Sequence, residues 1–210
     1  MKNAVFITKK ISNYKKNIQV SSDKSLSIRW ALMASQAIGV SRAYNLLESD
    51  DIKTTLNALK MLGIKVKKNK NFYEIFGKGL NGFSFKNNIK INAGNSGTFG
   101  RLILGLLAKS NKLVHLTGDK SLSKRDFTRV IKPLNDFGVK IISNKGKLPL
   151  KVKGTNYLRP IDYCELKGSS QIKSCIMLAA LNTPGTTKIK CKPSRNHTEL
   201  LFQYLKLPIK

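Results

Sequence analysis

Apolar residues recur along this chain in a fixed order: short alternating stretches, then longer runs at helical spacing, then alternation again. In the first such unit Ile18–Ser21 reads as a strand and Lys24–Ala37 as a helix. Arg42–Leu46 reads as a short strand. Asp50–Leu62 reads as a helix with Ile52, Leu56, Leu59 and Leu62 on one face, and Gly63 falls where a helix C-cap belongs. Ile64–Lys67 alternates as a strand does, and Phe72–Phe76 is its partner across the turn Asn69-Lys70-Asn71. The unit is therefore β-α-β-α-β-β. A second copy follows, with Leu113–Thr117, a helix over Asp126–Phe137, Val139–Ile142 and Leu150–Val152. Strands alternating with helices predict an α/β architecture.

Two series of polar knots mark the repeat. Ser25, Ser96 and Ser170 each sit just before an apolar helical run and lie 71 and 74 residues apart. Ser49, Ser123 and Ser194 form the second series, 74 and 71 residues apart, each leading to a helix end near Gly63, Gly138 and Pro208. Two signals with one period argue for an internal repeat. The units are expected at about 19–88, 89–159 and 160–210. The third is short by about 25 residues, enough for two strands of ordinary length. The natural protein is expected to continue past Lys210, or to be completed by a partner.

Composition changes this picture little. A chain of 210 residues with 41% hydrophobic content can bury a real core. Neither a spanning apolar run nor a signal-like h-region appears in the sequence, so a cytoplasmic location without membrane association is expected. Cys164, Cys175 and Cys191 have no metal-ligand spacing and read as reduced thiols; no metal or cofactor is expected. The net charge of +28, from 39 basic and 11 acidic residues, raises the question of nucleic acid. The lysines are scattered through strand ends and loops, with no basic helix stripe and no aromatic-interleaved ladder. A general compositional bias, with steering of anionic substrates, is the preferred reading.

The knots carry the candidate chemistry. Helix starts with free N–H groups, small hydroxyl residues and close backbone approach are places to hold an anion. Lys24 and Arg29 stand in the first turns of a helix, where cations oppose its dipole unless an anion sits among them; Asp23 offsets part of this as an N-cap. Arg101 behind Asn95-Ser96-Gly97-Thr98 invites the same argument, and Gly97 permits close approach to a ligand. Ser169, Ser170 and Gln171 offer more hydroxyls than one helix cap needs. His197 on its own would more often be structural.

Taken together these segments resemble the successive motifs of the 5-enolpyruvylshikimate-3-phosphate synthase family. The segments are Ser22–Ala31, Asn92–Thr98 with Arg101, Leu116–Arg125, Ser169–Ser174 and Ser194–Glu199. The resemblance runs from about Ser21 to Glu199. It implies an enolpyruvyl transferase-like inside-out α/β fold, with two similar domains of three β-α-β-α-β-β units in family chains about twice this long. This chain would be the N-terminal half: residues 1–18 belonging with the other domain, then residues 19–210 as one nearly complete domain of about three units. The resemblance also implies transfer of the enolpyruvyl group from phosphoenolpyruvate to the 5-hydroxyl of shikimate 3-phosphate, with release of phosphate.

By the same resemblance Lys24 is the catalytic residue, lying between the two substrates. Ser25 and Arg29 hold the shikimate carboxylate and ring hydroxyls, while Ser169, Ser170 and Ser194, joined by His197, bind shikimate 3-phosphate through its phosphate end. Gln171 packs against both substrates. Asn95, Gly97, Thr98 and Arg125 form the phosphoenolpyruvate side. The partners implied are these two small molecules, with no nucleic acid and no membrane, and a monomer once the second domain is present. Acid/base groups would come from the missing half, so the isolated chain is expected to be inactive. Asp126 departs from the proline usual after the Lys-Arg pair and is placed to pair with Arg125 and weaken its grip; Asn196 departs from an aspartate. The alternatives are the sister transferase acting on UDP-N-acetylglucosamine, an RNA 3′-phosphate cyclase-like domain, and a non-catalytic basic nucleic-acid-binding domain.

Overall fold

The computed structural model describes residues 9, 10, 13, 15, 17, 18 and 20–210. The first unit contains α1 (Lys24–Gln36), β1 (Ile38–Tyr44), α2 (Asp50–Met61), β2 (Lys65–Lys68) and β3 (Phe72–Lys78). The second contains β4 (Ile89–Asn92), α3 (Gly97–Leu107), β5 (Leu113–Thr117), a single-turn α4 (Lys120–Ser123), α5 (Thr128–Asp136), β6 (Lys140–Asn144) and β7 (Lys147–Lys153). The third contains β8 (Asp162–Glu165), α6 (Ser170–Ala180), β9 (Lys188–Cys191) and α7 (His197–Tyr204).

Each unit has its own sheet. The order is β1-β3-β2 in the first, β4-β5-β7-β6 in the second and β8-β9 in the third. The second is the complete pattern: β4 runs parallel to β5, and β7 pairs antiparallel with both β5 and β6. β8 and β9 repeat the parallel pair. The expected strand at Ile18–Ser21 is not formed at its described residues. Ile18 and Val20 are exposed, and β1 pairs with β3 alone among the described residues. Alternation marks a segment that can enter a sheet, but a strand exists only where a partner supplies the ladder. Residues 1–8, which hold much of the expected N-terminal segment, lie outside the described residues.

Other boundaries moved for local reasons. β1 begins at Ile38 rather than Arg42 and ends where Asn45 turns to a φ of +55°. α5 begins two residues later than expected because the Asp126 carboxylate accepts the Thr128 N–H at 2.7 Å and so precedes the helix. Gly63 and Gly138 do end their helices, with φ of +83° and +103°. After each, the next N–H reaches back five residues, Ile64 to Leu59 and Val139 to Leu134. In the third unit the same bond joins Leu207 to Phe202, so Lys206, with φ of +54°, holds the place expected for Pro208. A lysine bears the left-handed conformation that the first two units give to glycine.

The core lies between the helices. Every residue of α3 except Arg101 is buried, as is α6 from Ile172 to Ala179. The sheets form the rim: β7 alternates, with Leu148, Leu150 and Val152 inward and Lys147, Lys151 and Lys153 exposed. Lys65, Lys67, Lys188 and Lys190 likewise stand on exposed strand positions. Much of the positive charge is thus a solvated outer face of the sheets. No helix among the described residues is long and apolar enough to cross a membrane.

Candidate active site

The starts of α1, α3 and α6 are drawn to one place by side-chain bonds between them. Asp23 caps α1, its carboxylate accepting the Leu26 N–H at 2.7 Å, and Ser96 caps α3 through the Phe99 N–H. From α1, Arg29 donates to Thr198 Oγ1 at 2.8 Å, to Ser174 Oγ at 3.1 Å and to the Ser25 carbonyl at 3.2 Å. From α3, Arg101 donates to Gln171 Oε1 at 3.0 Å, and Gln171 Nε2 donates to Thr98 Oγ1 at 3.1 Å. The three helices are thereby tied by residues within two turns of their N-termini, so their N–H ends face a shared region.

The electrostatics of that region are one-sided. Arg29 is only 4% exposed, and Arg29, Arg101 and Arg125 have no carboxylate within ion-pair distance among the described residues. Burial lowers the pKa of Arg29, with Asp23 and Glu199 acting in the opposite sense from a distance. Burial also lowers that of Arg101, and the neighbouring Arg125 charge adds to the effect. A buried guanidinium without a counter-ion is costly to keep. Buried Arg29 and half-buried Arg101, both near helix starts, constitute a field that an anion would relieve.

Gly97 sits beneath two of these cations. A β-carbon at this position would lie 2.9 Å from Arg101 Nη1 and 3.1 Å from Arg125 Nη1. Gly97→Ala is therefore expected to leave the fold intact, because both neighbours are the far ends of long side chains, but to push the guanidinium groups apart. Affinity for a small phosphorylated anion should fall by about tenfold, the value of roughly one charge-assisted hydrogen bond. Titration of the variant with inorganic phosphate, compared with the unaltered chain, checks this.

The remaining candidates fall into place around this centre. Asn95 bridges Arg125 and Asp119: its Oδ1 accepts from Arg125 Nη2 at 3.1 Å and its Nδ2 donates to Asp119 Oδ2 at 2.6 Å. Ser169 and Ser170 open α6, and Ser169 makes no side-chain capping bond, so its hydroxyl is not spent on the helix end. Ser194 Oγ and His197 Nδ1 are buried atoms without a hydrogen-bond partner among the described residues. Lys24 is not bonded to any of these residues. It pairs with Asp51 Oδ2 at 3.0 Å and its side chain is 52% exposed, a solvent-screened contact that an incoming anion would compete with at small cost.

The expected pairing of Asp126 with Arg125 is not formed. The Asp126 carboxyl is held below the usual range by Thr128, and its backbone carbonyl accepts from Arg101 Nη2 at 2.9 Å. Asn196 precedes α7 with no side-chain capping bond. Four supporting residues were not singled out from the sequence. Glu165 is buried and accepts the Ser169 N–H at 2.8 Å, the Lys167 N–H at 3.2 Å and Arg129 Nη2 at 2.8 Å, which sets the turn that presents Ser169 and Ser170. Burial opposes its ionisation, but these donors outweigh burial and hold its carboxyl below the ordinary glutamate value. Asp119, Asp51 and Thr198 are the others. Asp119 and Thr198 lie inside motifs already recognised, whereas Glu165 and Asp51 carry no sequence signal beyond their charge.

The chain is similar to known proteins over most of its length. The family model for EPSP synthase (3-phosphoshikimate 1-carboxyvinyltransferase) matches residues 8–210. The 3-phosphoshikimate 1-carboxyvinyltransferase of Ruthia magnifica subsp. Calyptogena magnifica is 43% identical over 199 residues, which is 94% of this chain and 46% of that protein. The corresponding protein of Clostridium tetani (strain Massachusetts / E88) is 39% identical over 200 residues, 95% of this chain and 45% of that one. The solved structure of EPSP synthase from Acinetobacter baumannii superposes with a TM-score of 0.85 at 33% identity, covering 92% of this chain and 44% of that one. The chain spans about half the length of the curated relatives it matches.

Proposed function

The chain belongs to the EPSP synthase family, and from that premise we propose that it forms the shikimate 3-phosphate side of an enolpyruvyl-transfer site. The reaction joins the enolpyruvyl group of phosphoenolpyruvate to the 5-hydroxyl of shikimate 3-phosphate through a tetrahedral intermediate, whose breakdown releases phosphate. The observation that carries the reading is the convergence of three helix starts around guanidinium groups that have no carboxylate partner among the described residues. Two highly anionic substrates must be brought together, and fixed cations and N–H dipoles offset their repulsion.

In this reading Ser169, Ser170, Ser194 and His197 receive shikimate 3-phosphate at its phosphate end, which gives the orphaned Ser194 and His197 atoms a partner. Ser25 and Arg29 take the carboxylate and ring hydroxyls. Asn95, Gly97, Thr98 and Arg125 take phosphoenolpyruvate, Gln171 lies against both, and Lys24 exchanges Asp51 for the substrates. Residues 19–210 form one nearly complete inside-out domain of about three units, and a second domain outside this sequence completes the enzyme as a cytoplasmic monomer. Supporting that division of labour, two carboxylates near the pocket are already committed: Asp119 to Leu122 and Asn95, Glu165 to Ser169 and Arg129. The 210-residue chain then binds without turning over.

Calorimetric titration with shikimate 3-phosphate at physiological salt tests the proposal. One-to-one saturable binding is expected, weakened at least tenfold in Ser170→Ala and in Lys24→Ala, each of which removes a direct contact. Absence of binding by a folded chain, or binding unchanged in both variants, would refute it.

A further inference from the structure

The side chain of Arg101 is clamped from several directions. Its guanidinium donates to the Gly97 carbonyl at 3.3 Å, to the Asp126 carbonyl at 2.9 Å and to Gln171 Oε1 at 3.0 Å. Its Cζ lies 4.7 Å from the centre of the buried Phe127 ring. These contacts join α3, the α4–α5 connection and α6.

A guanidinium can only donate. Whatever faces it on Gln171 must therefore be the amide oxygen, which leaves the amide N–H₂ on the other side, where one hydrogen reaches Thr98 Oγ1 at 3.1 Å. The Thr98 oxygen is then an acceptor. Neither its hydroxyl proton nor the second Gln171 hydrogen has an acceptor among the described residues. With Arg101 absent, the two orientations of the amide differ little in energy, and the flipped one would present a carbonyl oxygen to the pocket.

We propose that Arg101 is a positioning residue that locks the Gln171 amide with its N–H₂ toward Thr98, so that the Gln171–Thr98 pair meets its ligand as hydrogen-bond donors. The inference rests on the reading of this pocket as an anion site, and it adds the origin of the donor polarity. An anion would be attracted by an all-donor wall and repelled by a flipped carbonyl, so Arg101 confers selectivity without touching the ligand.

The test uses the 210-residue chain and two readouts. The first, isotope-edited NMR of the Gln171 side-chain amide, needs no ligand. Contacts from its Nε2 protons to Thr98 are expected in the unaltered chain and should be lost in Arg101→Met, which keeps an apolar stem over Phe127 but removes every donor. Arg101→Lys keeps the charge yet cannot bond three acceptors at once, and should weaken the same contacts. The second readout is affinity for shikimate 3-phosphate, expected to fall about tenfold in Arg101→Met and less in Arg101→Lys. Unchanged Gln171–Thr98 contacts in either variant, shown to be folded by its amide spectrum, would overturn the proposal. So would unchanged affinity where the unaltered chain binds. If the unaltered chain does not bind but the amide reorients as stated, the substrate reading fails while the positioning role stands.

Discussion

Gly105→Ala is expected to destabilise this protein by roughly 3 kcal/mol, at the upper end of what overpacking a core costs. Gly105 lies on α3 where it crosses α6. A β-carbon there would fall well inside van der Waals contact distance of the Cys175 carbonyl oxygen, 3.0 Å from Leu178 Cβ and 3.2 Å from the Ala179 nitrogen. Backbone cannot step aside as a lysine tip can, so the two helices must separate or slide. Both are buried along most of their length, and close-packed interiors transmit such a shift. The melting temperature should fall by about 10 °C for a chain of this size. The functional consequence follows from the same displacement. Thr98 and Arg101 ride on α3 and Gln171 on α6, so their hydrogen bonds at 3.0 and 3.1 Å are strained whenever the crossing opens. Thermal denaturation followed by circular dichroism measures the first effect, and titration with shikimate 3-phosphate the second. A melting point within about 2 °C of the unaltered chain would show that the crossing tolerates expansion.

Arg29→Ala is expected to cost about 3 kcal/mol of stability and to abolish measurable shikimate 3-phosphate binding. The residue is 4% exposed, and its guanidinium ties α1 to Ser174 on α6 and Thr198 on α7. Truncation leaves a void where the side chain packed and removes two hydroxyl acceptors from their donor. The loss is moderated because Ser174 and Thr198 already share a hydrogen bond at 2.7 Å, so neither hydroxyl is left without a partner. Arg29→Met separates the two contributions. It refills the volume, so stability should recover by more than half, while binding stays lost if the charge is what the carboxylate of the ligand requires. Recovery of binding along with stability in Arg29→Met would show that Arg29 acts on the fold alone.

The helices were legible because their signals are local. The run Asp23-Lys24-Ser25 announced a capped start, and the cap forms. The periodic Ile52, Leu56 and Leu59 announced a buried face, and all three are buried. Gly63 and Gly138 announced helix ends and occupy left-handed conformations there. The strand at Ile18–Ser21 failed at its described residues because pairing is a property of two segments, and alternation in one of them says nothing of the other. The third helix end was misplaced by two residues because Lys206, not a glycine, adopts the left-handed turn; only the bond from Leu207 to Phe202 reveals it.

The candidate site divides in the same way. The residue types at each helix start, their interval along the chain and the family whose motifs they match were all legible before folding, because spacing and chemistry are written in the order of residues. Tertiary structure alone decided which charges are left without partners. Asp126 turns to Thr128 rather than Arg125, Asp51 reaches Lys24 from the next helix, and Glu165 organises the serine turn from beneath. Ion pairs and hydrogen bonds depend on distances of a few ångströms between residues as far apart in sequence as Arg29 and Thr198, and those distances exist only once the helices have packed.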